Sequence, residues 1–174
     1  MKTTVSTIVL LLLILNLNAQ LDSFNNHELK LVASAMSIMN SVETCALITI
    51  SKDGTPTART MAPFEPDENL IVWFGTNSSS RKVVQISQDP RVSLYYLDGD
   101  NSGYVQIQGR AEIINSEDAK QKYWKEEWQD FYPDYPEGFS LIKVTPIRME
   151  IVSERLGIIS EEKNWEVPNV IFDK

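Results

Sequence analysis

Short runs in which apolar and polar residues alternate, or in which β-branched residues follow one another, dominate the chain from residue 44 to residue 152. Alternation of period two is typical of β-strands that bury one face. Turn-forming sequences separate the runs: Lys52-Asp53-Gly54 predicts a tight hairpin, and the polar segment 98–103 predicts a second. The predicted strands are Thr44–Ser51, Thr55–Ala62, Leu70–Phe74, Arg91–Leu97, Tyr104–Asn115, Ser140–Thr145 and Ile147–Val152, with Pro146 separating the last two.

Three other segments carry apolar residues at helical spacing, which predicts amphipathic helices. The first covers residues 24–39, the second is short and begins at a cap on Ser78 or Ser79, and the third runs from Ser116 to about Asp130. The expected buried residues of the first helix are Leu29, Val32, Ala33, Met36 and Met39. The helices do not alternate with strands as βαβ units, so the pattern favours a mainly β (α+β) fold, a small antiparallel barrel with flanking helices.

The first 19 residues have the pattern of a cleavable secretory signal peptide. Lys2 is followed by the apolar run Ile8–Leu15, and Leu17 and Ala19 occupy the positions that precede a signal-peptidase cut. A membrane anchor would need roughly 20 apolar residues, and this run is far shorter. We therefore expect the mature chain to begin near Gln20, to be secreted or periplasmic, and to keep no membrane attachment after cleavage.

The remaining chain is long enough for one domain with a core, which we place at residues 24–159. A tail, 160–174, follows, and the sequence leaves open whether it docks on a partner or stays loose. Aromatic residues concentrate between residues 123 and 139. We expect core or subunit contacts there, the other interpretation being a lid over a pocket.

The most informative chemistry lies where the strand that begins at Leu70 meets the second helix. Arg81 and Lys82 fall in the first helical turn, where the helix dipole disfavours cations. The conflict disappears if an anion sits at the helix start, held by backbone N–H groups, the hydroxyls of Thr76 and Ser80, and the two cations. The alternative is a solvated helix start whose long side chains lie over the sheet edge.

Two strand faces extend this hypothesis. Arg59 lies in mid-strand on the same face as Met61, either as an exposed cation or as a third positive group for the same anion. Tyr104 and Gln106 share a face of a later strand, where they either face water or line a polar ligand.

Composition narrows the classes of function. The formal charge is −8, which argues against nucleic acid or an anionic membrane as the main partner. Cys45 is the only cysteine, so no intrachain disulfide forms, and its place in an apolar strand predicts a buried thiol. His27 is the only histidine, which excludes a histidine-based triad confined to one chain and a metal site with two histidines from one chain.

Four sequence fragments, in this order, resemble the pyridoxamine 5′-phosphate oxidase-like superfamily of flavin-binding split barrels, and among its branches the general-stress-protein type. The resemblance covers roughly residues 28–152. The fragments are Gly54-x-Pro56-x-x-Arg59-x-Met61, Trp73-Phe74-x-Thr76-Asn77-x-x-Ser80-Arg81-Lys82, Asp89-Pro90-Arg91-Val92 and Gly109-Arg110-Ala111-Glu112.

The resemblance implies flavin mononucleotide (FMN) bound at the interface of a homodimer. It implies that Arg59, Arg81 and Lys82 contact the FMN phosphate together with the hydroxyls of Thr76 and Ser80. Further implied cofactor contacts are the backbone of Met61 beside the isoalloxazine ring, and Tyr104 and Gln106 near the pyrimidine edge.

Two departures from the oxidases limit what the resemblance implies. Tyr104 stands where the oxidases usually have a glutamine. The arginine and histidine that hold the vitamin phosphate are not reproduced, because Arg155-Leu156-Gly157 is followed by no histidine. We therefore expect an exported FMN-dependent oxidoreductase that acts on an unknown small molecule and is not a pyridoxamine phosphate oxidase. The alternative is a non-catalytic or cofactor-free binding or signalling module, and a third interpretation is a haem or deazaflavin binder.

Overall fold

A computed structural model of the chain describes residues 24–99 and 101–172. The predicted signal peptide lies outside these residues. The helices are α1 (Asn26–Asn40), α2 (Arg81–Gln88) and α3 (Glu117–Tyr123), with a short 3-10 turn at Glu126–Trp128. The strands are β1 (Cys45–Ile50), β2 (Pro56–Met61), β3 (Val72–Asn77), β4 (Arg91–Leu97), β5 (Gly103–Ile114), β6 (Phe139–Ser153) and β7 (Asn169–Ile171).

All strand pairs are antiparallel and belong to one sheet in the order β2-β1-β4-β5-β6-β3, with β7 also paired to β6. The mainly β, α+β architecture predicted from the sequence is therefore confirmed. The two hairpins also form as predicted, and Gly54 has the left-handed φ of +84° that a tight turn favours.

The prediction that Pro146 separates two final strands is wrong. Strand β6 runs without a break from Phe139 to Ser153. Gly109 pairs with Pro146 while Gln108 pairs with Arg148, so one extra residue bulges at this point. A bulge removes the need for an amide donor, which is why a proline is tolerated inside the strand.

The helices differ from their predictions in extent and in orientation. Asn25 caps α1 through a reciprocal capping box with Glu28. However, Leu29 and Ala33 are exposed, and the buried side chains of α1 are Leu31, Val32, Ala35, Ile38 and Met39. Helix α3 ends at Tyr123, seven residues before the predicted Asp130, because the backbone at Trp124 and Lys125 is extended.

The end of the C-terminal tail packs against the core of its own chain. Strand β7 pairs with Arg148–Glu150 of β6. Val170 is 1% exposed, and the ring of Phe172 meets that of Phe24 edge to face at 5.5 Å. These contacts join both ends of the described chain to the same hydrophobic core.

The sheet has an inner and an outer face. Side chains on the inner face of the central strands, such as Leu47, Leu94 and Ile107, are fully buried. Their neighbours in sequence, including Tyr95 at 37% and Leu97 at 48% exposure, point to the outer face. Among the helices that the structure describes, none is both long enough and apolar enough to cross a membrane.

Candidate functional site

The C-terminal end of β3 leads directly into the start of α2. The sequence predicted that β3 would stop before Gly75, but pairing with β6 continues to Asn77. Helix α2 then begins at Arg81 with Ser80 as its N-cap, so the prediction of a cap at Ser78 or Ser79 is wrong. Ser80 caps through its backbone position only, since its side chain makes no capping hydrogen bond.

The hydroxyl of Ser80 faces the strand instead of the helix. Its Oγ lies 3.3 Å from Oγ1 of Thr76, which is 2% exposed. The ammonium of Lys82 donates to the same Thr76 oxygen at 2.9 Å. Thr76, Ser80 and Lys82, which the sequence assigned to one anion site, therefore lie in direct contact.

Arg59 reaches the same region from β2 through a network of neutral acceptors. Its Nη1 donates to Oγ1 of Thr49 at 2.7 Å and to the carbonyl of Leu47 at 3.2 Å, and its Nη2 donates to Oε1 of Gln85 at 3.0 Å. This geometry fixes the guanidinium while leaving its charge unneutralised.

Gln85 joins the two halves of the site and was not predicted from the sequence. Besides accepting from Arg59, its Oε1 accepts from Thr49 at 2.7 Å, and its Nε2 donates to Oγ of Ser51 at 2.7 Å. One signal was available: Gln85 follows Arg81 by four residues, the spacing that places both on one face of a helix.

The electrostatic field of the site is positive. Burial and then the charge of Arg81 lower the pKa of Arg59. Burial and then the charges of Arg59 and Arg81 lower the pKa of Lys82. Within the described residues, no aspartate or glutamate forms a salt bridge with any of these three cations. Mutual repulsion without a carboxylate partner is the condition under which an added anion is stabilising.

The start of α2 adds backbone donors to the same place. The first N–H groups of any helix have no intrahelical acceptor, and the helix dipole attracts negative charge there. Here the residues of that first turn are Arg81 and Lys82, with no acidic residue. The local donor set, consisting of amides, hydroxyls and three cations, fits a phosphate monoester.

Met61 lies on the Arg59 face at the end of β2. It pairs with Cys45 of β1, is partly buried and packs against the core. Residues 62–64 continue from it toward β3, where the amide of Phe64 donates to the carbonyl of Trp73 at 2.8 Å.

The structure does not bring Tyr104 and Gln106 to this cluster. Both lie on the outer face of β5, separated from Arg59 by the sheet. The ring of Tyr104 stacks on that of Tyr95 at 5.2 Å, and Nε2 of Gln106 donates to Oγ of Ser93 at 3.1 Å. Burial, with the nearby charges of Glu150 and Tyr95, raises the pKa of Tyr104.

Neither Cys45 nor His27 adds reactive chemistry. Burial raises the pKa of the Cys45 thiol to about 11, in spite of the neighbouring side chain of Tyr96, which lowers it. The thiol is therefore protonated at neutral pH, as expected for a structural cysteine. His27 is exposed in the first turn of α1. In the part of the chain that the structure describes, no group of three or more His, Cys, Asp or Glu side chains could hold a metal ion.

The sequence profile of the family described as "Pyridoxamine 5′-phosphate oxidase like" matches residues 31–151, well over half of the chain. The chain belongs to this family. Within the family it is similar to General stress protein 26 of Bacillus subtilis, with 26% identity over 144 residues that cover 73% of this chain and 99% of that protein. The general-stress-protein branch expected from the sequence is thus confirmed.

Solved structures support the split-barrel fold. A pyridoxamine 5′-phosphate oxidase-related, FMN-binding protein of Nostoc punctiforme aligns with a TM-score of 0.60 and 17% identity, covering 86% of this chain and 97% of its own. A haem-binding protein of Mycobacterium smegmatis aligns with a TM-score of 0.61 and 16% identity, covering 82% of this chain and 58% of its own. At these identities the likeness concerns the fold, and ligand choice depends on the residues of the site.

Proposed function

We propose that this chain is an FMN-binding oxidoreductase whose phosphate site is formed by Arg59, Arg81 and Lys82 with Thr76 and Ser80. The observation that carries the proposal is the cluster of three cations, two of them with lowered pKa values and none with a carboxylate partner among the described residues. Membership of the pyridoxamine 5′-phosphate oxidase-like family supports a flavin nucleotide as the molecule that carries this phosphate.

The protein's own residues bind and orient the cofactor. Bound flavin would supply the electron-transfer chemistry, as it does in flavoproteins generally. Arg59 is held by Thr49 and Gln85, so it loses little side-chain entropy when it meets a phosphate. Met61, on the same face of β2, would present its backbone to the ring system. No general acid or base is assigned, and the substrate is a small molecule of unknown identity.

Oxidation of a vitamin phosphate is not part of the proposal. Arg155, the nearest equivalent of the oxidases' C-terminal arginine, donates from Nη2 to Oδ1 of Asp98 at 2.8 Å. That carboxylate is 1% exposed and also accepts from Ser153 at 2.7 Å. Arg155 therefore serves to fix the turn after β6.

A homodimer reconciles the two groups of predicted cofactor contacts. Tyr104 and Gln106 are separated by the sheet from Arg59 in the same chain, but an outer face packed on a second copy could bring them to that copy's flavin. Exposed apolar side chains on this face, Tyr95 and Leu97, favour such packing. Sedimentation equilibrium of the mature chain tests this: a monomer at micromolar concentration contradicts it, and Leu97→Glu should weaken the dimer.

The export of the chain is a further part of the proposal, based on the pattern of residues 1–19. Expression of the full chain in a bacterium followed by intact-mass measurement tests it. We expect the extracytoplasmic protein to begin near Gln20, and a cytoplasmic product that keeps Lys2 and the apolar run contradicts the proposal.

The direct test of the proposed cofactor is titration of the purified mature chain with FMN, followed by flavin absorption and calorimetry. Arg81→Ala should weaken binding by about 1.5–3 kcal/mol, the range for a hydrogen bond to a charged group. Lys30→Ala removes the same charge from the exposed side of α1 and should leave the affinity unchanged.

A wild-type protein that is colourless and fails to bind micromolar FMN would favour the cofactor-free binding module instead. Titration with a deazaflavin and with haem in the same assay tests the remaining alternatives. Equal affinity of Arg81→Ala and wild type for FMN would place the phosphate elsewhere.

A further inference from the structure

A second cluster of chemistry-bearing residues lies on the other side of β3 from Thr76. Alternation along β3 directs Thr76 inward and Trp73 outward. The segment that follows α3 folds over this outward side and contributes most of a continuous set of aromatic rings. The rings in contact are Phe64, Trp73, Tyr123, Trp124, Trp128, Tyr132, Tyr135 and Phe139.

The cluster opens to solvent at a cavity of about 530 Å³. Its lining residues are Pro63, Phe64, Glu65, Tyr123 and Lys125. The rings of Phe64 and Tyr123 lie 4.8 Å apart, and Tyr123 stacks on Trp73 at the same distance with an angle of 24°. A cavity of this volume with aromatic walls is of the size and character that binds small planar molecules.

Ammonium groups surround these rings. Nζ of Lys125 lies 5.2 Å from the ring centre of Phe64 and 5.3 Å from that of Trp128. Lys122 and Lys143 lie 5.2 Å from Tyr123 and 5.9 Å from Trp73, respectively. Each ammonium is within the range of a cation–π contact, which orients it over a ring face. Of these three ammonium groups only that of Lys125 belongs to a residue that lines the cavity, so Lys125 is the group that can meet a negative ligand there.

Two residues behind the cavity support its walls: Trp128, whose ring lies 5.8 Å from that of Phe64, and Lys120 of α3. A Cβ added to Gly75 would come within 2.6 Å of the Trp128 ring, so the ring lies directly on the backbone of β3. The buried ammonium of Lys120 donates to the carbonyl of Pro136 at 2.6 Å and ties α3 to the aromatic segment. A rigid wall reduces the entropy lost on binding.

We propose that this cavity binds a planar aromatic anion, with its ring against Phe64 and Tyr123 and its carboxylate or sulfonate at Lys125. Glu65, which is exposed at the rim, is the one carboxylate among the described residues that line the cavity. Its charge opposes that of the ligand and limits the affinity.

The position of the cavity indicates its use, in a step that rests on the proposed FMN function. Pro63 and Phe64 follow Met61 by two and three residues, a distance of at most about 10 Å along the chain. The loop that carries Pro63 and Phe64 therefore links the Met61 backbone to the cavity around the edge of β3, and we propose a planar aromatic anion as the substrate class.

The test uses the full mature chain without added flavin and three probes of one shape, studied by calorimetry: 2-naphthoate, the neutral 2-naphthamide and the cationic 2-naphthylmethylammonium. We expect 2-naphthoate to bind about tenfold more tightly than the amide, the scale of one charge-assisted contact, and the cation to bind most weakly. Equal binding of the three probes, or no binding of naphthoate, overturns the proposal.

Two variants of opposite sign make the assignment specific. Lys125→Gln should abolish the preference for naphthoate over the amide, whereas Glu65→Gln should increase it. Both side chains are exposed, so the fold should tolerate either change. Lys30→Gln on α1 is the matched control and should leave all three affinities unchanged. A Lys125→Gln protein that retains the full preference contradicts the site.

Different results would refute the cofactor proposal and the naphthoate-site proposal. Arg81→Ala should lose FMN affinity and keep naphthoate binding. A wild-type protein that binds naphthoate but no FMN would refute the proposed cofactor and the substrate role, and would leave the naphthoate site standing. In FMN-loaded protein, naphthoate should shift the flavin absorption bands, and an unchanged spectrum at saturating naphthoate contradicts the substrate role.

Discussion

The side chains around Arg59 show how a protein can hold a cation without neutralising it. Hydroxyl, amide and carbonyl oxygens orient the guanidinium, while the nearest charges, on Arg81 and Lys82, repel it. A carboxylate in place of Gln85 would accept the same hydrogen bonds from Arg59 and Thr49 and would offset one of the three positive charges. The choice of a neutral acceptor is therefore consistent with a site kept ready for an anion.

Gln85→Glu tests this distinction between orientation and charge. The variant retains an acceptor for Arg59 and Thr49, so we expect its free energy of unfolding to change by no more than about 1 kcal/mol. Its affinity for FMN should fall about tenfold or more, because the new charge repels the phosphate. Urea unfolding and FMN titration give the two readouts, and an unchanged affinity would show that the net charge of the cluster is unimportant.

Lys82 should reduce the stability of the ligand-free protein. Its pKa is lowered in the folded state, chiefly by burial, so the unfolded chain binds more protons between that pKa and the ordinary value of 10.5. Stability therefore rises with pH through this interval, and the cost of the charge is fully present below it.

We predict that Lys82→Met stabilises the ligand-free protein at pH 7, by up to about 1 kcal/mol, and abolishes tight FMN binding. Thermal unfolding between pH 7 and pH 10 should show the gain shrinking as pH rises. A gain that is independent of pH would mean that it comes from packing of the new methyl group and not from removal of the charge.

Strand β3 is the element that separates the two candidate sites. Its inward residue Thr76 belongs to the cation cluster, and its outward residue Trp73 belongs to the aromatic cluster. Gly75 interrupts the outward row because the rings of Trp128 and Phe139 occupy the space that a side chain would need. The local sequence around this glycine predicts a strand end. In the structure β3 continues to Asn77, and Gly75 allows the Trp128 ring to pack closely against the strand.

Gly75→Ala should consequently be destabilising. The added methyl group would lie 2.6 Å from Trp128, whose ring is already confined by its neighbours, and overpacking of this kind costs about 1–3 kcal/mol. Gly99→Ala on the hairpin is the control, since a methyl group added there would meet no heavy atom within 4 Å. Denaturant unfolding gives the free energy of unfolding of both variants. If Gly75→Ala were as stable as Gly99→Ala, the Trp128 ring would have to be free to move.

The molecule as an assembled unit depends on its C-terminal residues. Strand β7 extends the sheet beside β6, and Phe172 packs on Phe24 ahead of α1. The family profile stops at residue 151, so this closure lies beyond the part that the family match covers.

Phe172→Ala should lower the free energy of unfolding by about 3 kcal/mol, as expected for truncation of a buried aromatic side chain. Trp165→Ala removes a larger ring from the same segment, but that ring is 80% exposed, and we expect a change within about 0.5 kcal/mol. Thermal and urea unfolding provide the comparison. A small effect of Phe172→Ala would mean that β7 is dispensable for the fold.

Much of the fold was predictable because its signals are local. Alternation along β1, β2, β4 and β5, together with Gly54 in the first hairpin, placed these strands within one or two residues. The cation pair Arg81 and Lys82 was recognisable as a site candidate from its conflict with the helix dipole, which is also a local property.

The errors arose where a distant segment overrides the local preference. Pro146 is tolerated in β6 because β6 itself bulges beside it where it pairs with β5. Strand β3 continues past Gly75 because it pairs with β6 as far as Asn77, and the residue is a glycine because the Trp128 ring occupies the space of a side chain. Which face of α1 is buried depends on the side on which the sheet packs. The apolar residues of the helix alone do not decide this, which is why Leu29 and Ala33 were expected to be buried.

Sequence periodicity and residue chemistry were therefore sufficient for the strand pattern, the positive site and the family resemblance, since each is carried by neighbouring residues. The contact of Gln85 with Arg59, 26 residues away, and the separation of Gln106 from Arg59 by the sheet follow from strand register and curvature. Those quantities depend on the packing of the complete sheet, because a shift of one residue in register would exchange its two faces.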